Sequence, residues 1–260
     1  MIRAIFFDID GTLVSLQTKV YSDSARIALE KLREKGVKLF IATGRSRFEI
    51  EEEGLLDGLH FDGYLTNNGQ ISYTASGEIL HSNPIDPQDA AAVLALAARE
   101  NIACWVVGAD ESLLSRDTPE VRAAMESIHT RLPRLGDLQH MLEKPIYKIV
   151  LFLPAQQMRE AMQVAPHSKT TQWFELGHDI ICKDGGKMTA MRAVLRHYGI
   201  DRSESMSFGD SENDLEMLRY AQIGVAMGNS TKEAKEAADY VTDDVDEDGL
   251  YNALVHFGIL

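Results

Sequence analysis

At 260 residues, 45% apolar and 25% charged, the chain has the composition of an ordinary soluble globular protein, long enough for one large domain or two smaller ones. Its net charge of −14 disfavours binding to nucleic acid or to anionic membrane surfaces, and no apolar run approaches the roughly 18 residues of a membrane span. Cys104 and Cys182 are far apart and lack metal-site spacing, so each is expected to be a buried small hydrophobe in a reducing compartment. Without a signal-peptide pattern ahead of the first strand, the expected location is cytoplasmic.

The chain opens with Ile5-Phe6-Phe7, an apolar run that reads as a buried strand of a parallel sheet and delivers Asp8, Asp10, Gly11 and Thr12 at its end. In open α/β sheets, ligands bind beyond the carboxyl ends of such strands. An extended backbone would point Asp8 and Asp10 the same way, and two such carboxylates call for a shared proton or a divalent cation such as Mg²⁺. The alternative is a plain polar strand end before a Gly11 turn. Residues 22–35 read as an amphipathic helix capped by Ser22 or Ser24 and ended by Gly36. Residues 37–42 form a second strand that stops at Thr43-Gly44-Arg45. A helix of about ten residues follows, with an acidic run over 49–53. Residues 64–66 form a third strand ending in Asn67-Asn68-Gly69. This alternation predicts a parallel sheet with right-handed crossovers, each strand bringing its polar cluster to one edge.

Asn83-Pro84 and Asp86-Pro87 then punctuate the chain. Helices are expected over 87–100, 119–130 and 155–164, strands over 103–107, 112–115 and 147–153, and two strands joined near Gly177 over 169–182. This stretch reads as an inserted α/β domain over 83–182, whose strand ends carry no comparable cluster. Glu175, His178 and Asp179 lie near the hairpin at Gly177 and are polar enough to contribute to substrate choice, although such residues are more often plain surface. From Lys187 the first pattern resumes. A helix over 187–198 leads to a strand over 206–208 that ends in Gly209-Asp210-Ser211-Glu212-Asn213-Asp214. A helix over 213–221, a strand over 223–227, a helix over 231–238, a short strand over 240–242 and a helix over 249–257 follow. Residues 1–82 and 183–260 are therefore expected to form one discontinuous domain.

An anionic ligand of so acidic a protein needs a local positive site, either a metal or placed Lys and Arg side chains. Four polar clusters follow strands or open helices: Asp8/Asp10/Thr12, Thr43/Gly44/Arg45, Lys187, and Asp210/Asn213/Asp214. Their order closely resembles the motifs of the haloacid dehalogenase superfamily: DxDGT, a hydroxyl residue after the second strand, a lysine, and GDxxND. The insertion between the second and third motifs resembles the type-2B cap of the Cof-like sugar-phosphatase branch. Asn68-Gly69 matches that branch's NG signature, although Gln70 replaces the small residue usual there.

The resemblance, which spans the whole chain, implies a Rossmann-like parallel-sheet core with an inserted α/β type-2B cap. It also implies a phosphatase acting on a small phosphorylated metabolite, such as a sugar or cofactor phosphate. Asp8 would be the nucleophile, giving an aspartyl-phosphate. Asp10 would be the general acid and then the general base, since an aspartate two positions after the nucleophile accompanies phosphatase chemistry in this superfamily. Mg²⁺ would be held by Asp8, the main chain at Asp10, and Asp210. Thr43, Lys187 and Asn213 would hold the phosphoryl oxygens, with Ile9, Gly44, Arg45 and Asn68 lining the same phosphate or substrate site. Asp214 would be an outer-sphere metal partner or an orienter of Lys187. Arg45 would bind substrate or pair with the nearby glutamates, and Thr43 by itself would also serve as a helix N-cap.

Two other motif readings fail. Gly185-Gly186-Lys187-Met188 lacks the first glycine and the Ser/Thr of a nucleotide P-loop, and the acidic run 244–249 puts Val255 where a calcium loop needs glutamate. A phosphomutase of the same cap type and a phosphate-binding regulatory module are the alternative functions. Asp10 and the insertion weigh for an enzyme.

Overall fold

The structure, a computed structural model, describes residues 1–128 and 130–260 and divides into two compact units. One comprises Met1–Arg45, Glu49–Ser82 and Gly186–Leu260; the other comprises Asn83–Gly185 together with Ser46–Phe48. In chain order the elements of the first stretch are β1 (Ala4–Phe7), α1 (Asp23–Glu34), β2 (Lys38–Ala42), α2 (Arg47–Glu53), β3 (Gly63–Thr66), β4 (Ile71–Thr74) and β5 (Ile79–Ser82). The inserted stretch contributes α3 (Pro87–Arg99), β6 (Ala103–Val107), β7 (Ser112–Leu114), α4 (Pro119–Ser127), β8 (Lys148–Phe152), α5 (Ala155–Ala161), β9 (Ser168–Gln172) and β10 (Gly177–Cys182). The last stretch contributes α6 (Lys187–His197), β11 (Ser205–Gly209), α7 (Leu215–Tyr220), β12 (Ile223–Ala226), α8 (Lys232–Ala237), β13 (Tyr240–Val241) and α9 (Gly249–His256).

The first unit is built on an eight-stranded sheet in the order β13-β12-β11-β1-β2-β3-β4-β5. Strands β13 to β3 run parallel, whereas β4 pairs antiparallel with both β3 and β5. Every residue of β1 is buried, because its side chains alternate between two apolar layers. Ile5 and Phe7 face α1 and α9, while Ala4 and Phe6 face α6 and α7. Phe7 stacks on Phe208 and Phe6 on Phe40, so β1 is tied to both neighbours by aromatic pairs. From β1 the chain winds outward to β2 and β3, and it later returns to place β11 on the opposite side. Adjacent parallel strands whose connections leave in opposite directions open a crevice at their carboxyl ends, and β1 and β11 form that switch point.

The hairpin β4–β5 was not among the expected elements. Its strands have four residues each, too few for alternation to register, and they form because β3 offers them an edge. At α1, Ser22 is the cap: its hydroxyl accepts from the Ala25 N–H.

The second unit has a five-stranded antiparallel sheet in the order β7-β6-β8-β10-β9. One face packs on α3 and α5, and the other meets α4. The helix expected to reach 130 ends at Ser127; His129 lies outside the described residues. The surface reading holds for Glu175 but fails for His178 and Asp179, which are buried in β10. There the Asp179 carboxylate accepts from the Trp173 indole N–H at 2.8 Å. Cys104 is buried, which pushes its thiol up to about 12, but Cys182 is only half-buried, contrary to expectation. Among the described residues no helix is long and apolar enough to cross a membrane.

Candidate active site

Within the first unit, the loops after β1, β2, β3 and β11 and the first turn of α6 bring the motif residues together. Lys187 is at the centre. It is the first residue of α6, only 1% exposed, and its Nζ donates to Asp8 Oδ1 at 2.8 Å and to Asp214 Oδ1 at 2.7 Å. Burial alone would lower its pKa, but Asp214 and Asp8 outweigh burial and hold it above the usual lysine range. Burial pushes the Asp8 carboxyl up to about 7, with Lys187 opposing and Asp214 and Asp10 reinforcing the rise. Asp210 is also raised well above the carboxylate range, by burial first and then by Asp8 and Asp214. One ammonium therefore faces more negative charge than it can neutralise.

Asp8, Asp210 and Asp214 each offer an oxygen, and these atoms lie within 4.8 Å of one another. An undercompensated set of carboxylate oxygens is the donor chemistry that a hard divalent cation takes. Asp214 is already committed elsewhere. Its Oδ1 takes Lys187, and its Oδ2 accepts from the main-chain N–H groups of Asp210 at 3.0 Å and Ser211 at 3.1 Å. Thr12 Oγ1 donates to Asp210 Oδ1 at 3.2 Å, which links the first and last motifs.

Asp10 does not share a partner with Asp8. Strand β1 ends at Phe7, so the extended-strand rule does not carry through to Asp10. Instead Arg45 grips Asp10 with two bonds, Nε to Oδ2 at 2.7 Å and Nη2 to Oδ1 at 2.8 Å, and its Nη1 donates to Glu53 Oε2 at 2.7 Å. Of the two readings of Arg45, the structure shows pairing, both with Glu53 and with Asp10. The Asp10 side chain is outside the Asp8/Asp210/Asp214 group.

The remaining motif residues knit the rim together. Thr43 Oγ1 accepts from the Arg45 main-chain N–H at 3.1 Å; because α2 starts only at Arg47, Thr43 does not cap it. The Asn68 N–H donates to the Thr43 carbonyl at 2.9 Å, and Asn213 Nδ2 donates to Asn68 Oδ1 at 2.9 Å. Asn67, Asn68 and Gly69 all have positive φ, a tight turn that suits exactly these residue types. Gly44 lies alongside, where a Cβ would stand 3.1 Å from Asn68 Oδ1. The Ile9 side chain does not join the site. It is fully buried in the apolar layer, while its carbonyl accepts from the N–H groups of Thr12, Leu13 and Val14.

Glu53, from the acidic run that follows Arg45, reaches the Arg45 guanidinium. One supporting residue escaped the sequence reading. Asn229 donates to the Gly11 carbonyl at 2.7 Å and accepts from the Val245 N–H at 3.0 Å. Its signal was the polar Gly228-Asn229-Ser230 run just after β12.

Gly11 sits at φ +77°, and a Cβ there would stand 2.7 Å from Asp210 Oδ2. Gly11→Ala is expected to cost about 1–2 kcal/mol from backbone conformation alone and to displace the Asp210 carboxylate. Thermal unfolding and a divalent-cation titration check this: both stability and cation affinity should fall.

The haloacid dehalogenase-like hydrolase family model matches residues 5–254. YkrA of Bacillus subtilis (strain 168), provisionally named a phosphatase, is 33% identical over 260 residues, covering 99% of this chain and 98% of its own. The structure of BT1666 from Bacteroides thetaiotaomicron, described among phosphatases of that superfamily, aligns with a TM-score of 0.91 at 31% identity, over 100% of this chain and 96% of its own. The sugar phosphatase BT4131, of HAD subclass IIB, aligns with a TM-score of 0.88 at 33% identity, over 99% of this chain and 100% of its own.

Proposed function

The chain belongs to the haloacid dehalogenase-like hydrolase family and is an enzyme of the phosphatase kind; from that premise we propose a Mg²⁺-dependent phosphatase that hydrolyses a small phosphorylated metabolite, a sugar phosphate in the first instance, through an aspartyl-phosphate on Asp8. The observation that carries this reading is the buried Asp8–Lys187–Asp214 chain beside Asp210. It holds one carboxylate in place while leaving it the means to react.

Lys187 holds Asp8 by Oδ1, so Oδ2 is the attacking atom. The Oδ2–P bond forms as the bond from phosphorus to the leaving oxygen breaks, and Asp10 supplies that oxygen with a proton. Water then attacks phosphorus and gives its proton to Asp10, releasing phosphate and restoring Asp8. Both Asp10 oxygens are held by Arg45, so the pair must open for Asp10 to carry a proton. Lys187, Thr43 and Asn213 hold the phosphoryl oxygens, and Asp214 orients Lys187. Asp8 and Asp210, with the Asp10 main chain, would hold Mg²⁺, which lets two anions approach and stabilises charge in the transition state. The second unit is the inserted cap that selects the leaving group.

Phosphate release from a panel of sugar, nucleotide and cofactor monophosphates, with Mg²⁺ and with EDTA, tests the proposal. Metal-dependent release is expected; no release from any compound would overturn it.

The raised Asp8 carboxyl adds a pH test. Its pKa rises from 3.8 to about 7, so the metal-free fold loses stability as pH climbs through that window. Mg²⁺ must displace the proton from Asp8. Apparent Mg²⁺ affinity is therefore expected to weaken about tenfold per pH unit below 7, and the gain in Tm on adding Mg²⁺ should be larger at pH 8 than at pH 5.5. An affinity flat across that range would show that Asp8 is ionised without metal.

A further inference from the structure

The loop between the first motif and α1 is folded with its polarity inverted. Ser15 anchors it: the Ser15 hydroxyl accepts from the N–H groups of Gln17 and Thr18, the Ser15 carbonyl accepts from Lys19 N–H, and Ser15 N–H donates to the Val20 carbonyl. The turn exposes two apolar side chains, Leu16 at 44% and Val20 at 60%. Between them Lys19, the residue best suited to water, turns inward. Its Nζ is buried and has no hydrogen-bond partner. Its backbone is in the left-handed region at φ +60°, a conformation a non-glycine residue holds only when its surroundings impose it.

The charges that act on this ammonium are those of Asp10, Arg45 and Glu53. Arg45 engages both acids directly, with two bonds to Asp10 and one to Glu53. Lys19 bonds to neither: its three N–H donors feel the charge of the proton-transfer carboxylate and have nothing to receive them. A buried, unsatisfied charged donor is unfavourable unless a ligand completes it. In the proposed reaction Asp10 faces the leaving oxygen, so what lies near Lys19 is the leaving group rather than the transferred phosphoryl.

We propose that Lys19 is a specificity residue that receives a second anionic group, a phosphate or a carboxylate, carried on the leaving group of the substrate. This inference rests on the phosphatase reading of the same site. The preferred substrates are then phosphorylated metabolites with a further anion, rather than neutral sugars bearing one phosphate. Three free donors on a buried amine suit the several oxygens of an anion better than one hydroxyl.

The test compares kcat/KM on matched pairs for the wild type, Lys19→Met and Lys19→Arg. One pair is a hexose monophosphate and the corresponding hexose bisphosphate. The other is a phosphorylated aldose and the corresponding phosphorylated aldonic acid; p-nitrophenyl phosphate is the generic ester. The wild type should prefer the doubly anionic member of at least one pair, and the pair showing the preference distinguishes phosphate from carboxylate. Lys19→Met should reduce kcat/KM for that member about 10- to 100-fold more than for its partner, mainly through KM, and Lys19→Arg should restore much of the preference. No preference in the wild type, or an equal loss on both members, would overturn the role of Lys19 while leaving the phosphatase standing. No release from any compound, p-nitrophenyl phosphate included, would instead remove the phosphatase reading and this inference with it.

Discussion

Asp8→Asn is expected to lower phosphate release by about 10⁴-fold or more, because it removes the one atom the proposed mechanism needs for attack. The substitution is nearly isosteric. An amide oxygen can still accept from Lys187 Nζ, which lies 2.8 Å from Asp8 Oδ1, so the local structure should persist. Burial already works against a charge at this position, since it raises the Asp8 carboxyl to about 7. A neutral amide relieves that penalty. Metal-free Asp8→Asn should therefore melt no lower than the wild type at pH 8, while Mg²⁺ binding weakens. Calorimetry and a phosphate assay on the same preparation separate these effects. Retained turnover would exclude Asp8 as nucleophile, and a large fall in Tm would mean that the carboxylate is structural.

Lys187→Met is expected to damage both activity and fold. Removing the ammonium leaves Asp8 and Asp214 buried without their common cation, with Asp210 close by. Breaking a buried ion pair by removing one partner typically costs about 3–5 kcal/mol, which in a chain of this size lowers Tm by roughly 10 °C. The penalty depends on ionised carboxylates. As pH falls below about 7 and Asp8 takes up a proton, the gap between mutant and wild type should narrow. Mg²⁺ should narrow it too, by supplying positive charge to the same carboxylates. Phosphate release should be lost under all these conditions, because the ammonium is also a donor to the phosphoryl oxygens in the proposed mechanism. A Tm gap that ignores both pH and Mg²⁺ would point to packing rather than charge.

The core of the first unit was legible because its signals are local. Ile5-Phe6-Phe7 is a strand buried on both faces wherever it packs, and a polar cluster at its end can only arrive at the sheet's carboxyl edge. The order of Asp8, Thr43, Lys187 and Asp210 was readable for the same reason: each follows a strand or opens a helix. The hairpin β4–β5 was not, because its pairing depends on the edge of β3 rather than on its own short sequence. His178 and Asp179 were misjudged because polar side chains in a strand report burial only once the neighbouring strands and Trp173 are in place.

The sequence by itself determined which chemical groups meet at the crevice between β1 and β11, since strand ends and helix starts are set by local pattern. Only the tertiary structure decided how those groups pair. Arg45 grips Asp10 and Glu53 rather than standing free, Asp214 spends its oxygens on Lys187 and on its own loop, and the Lys19 ammonium is turned inward with no hydrogen-bond partner. The reason is physical. A charged side chain's partner depends on distances across residues far apart in the chain, and its ionisation on burial that many elements create together.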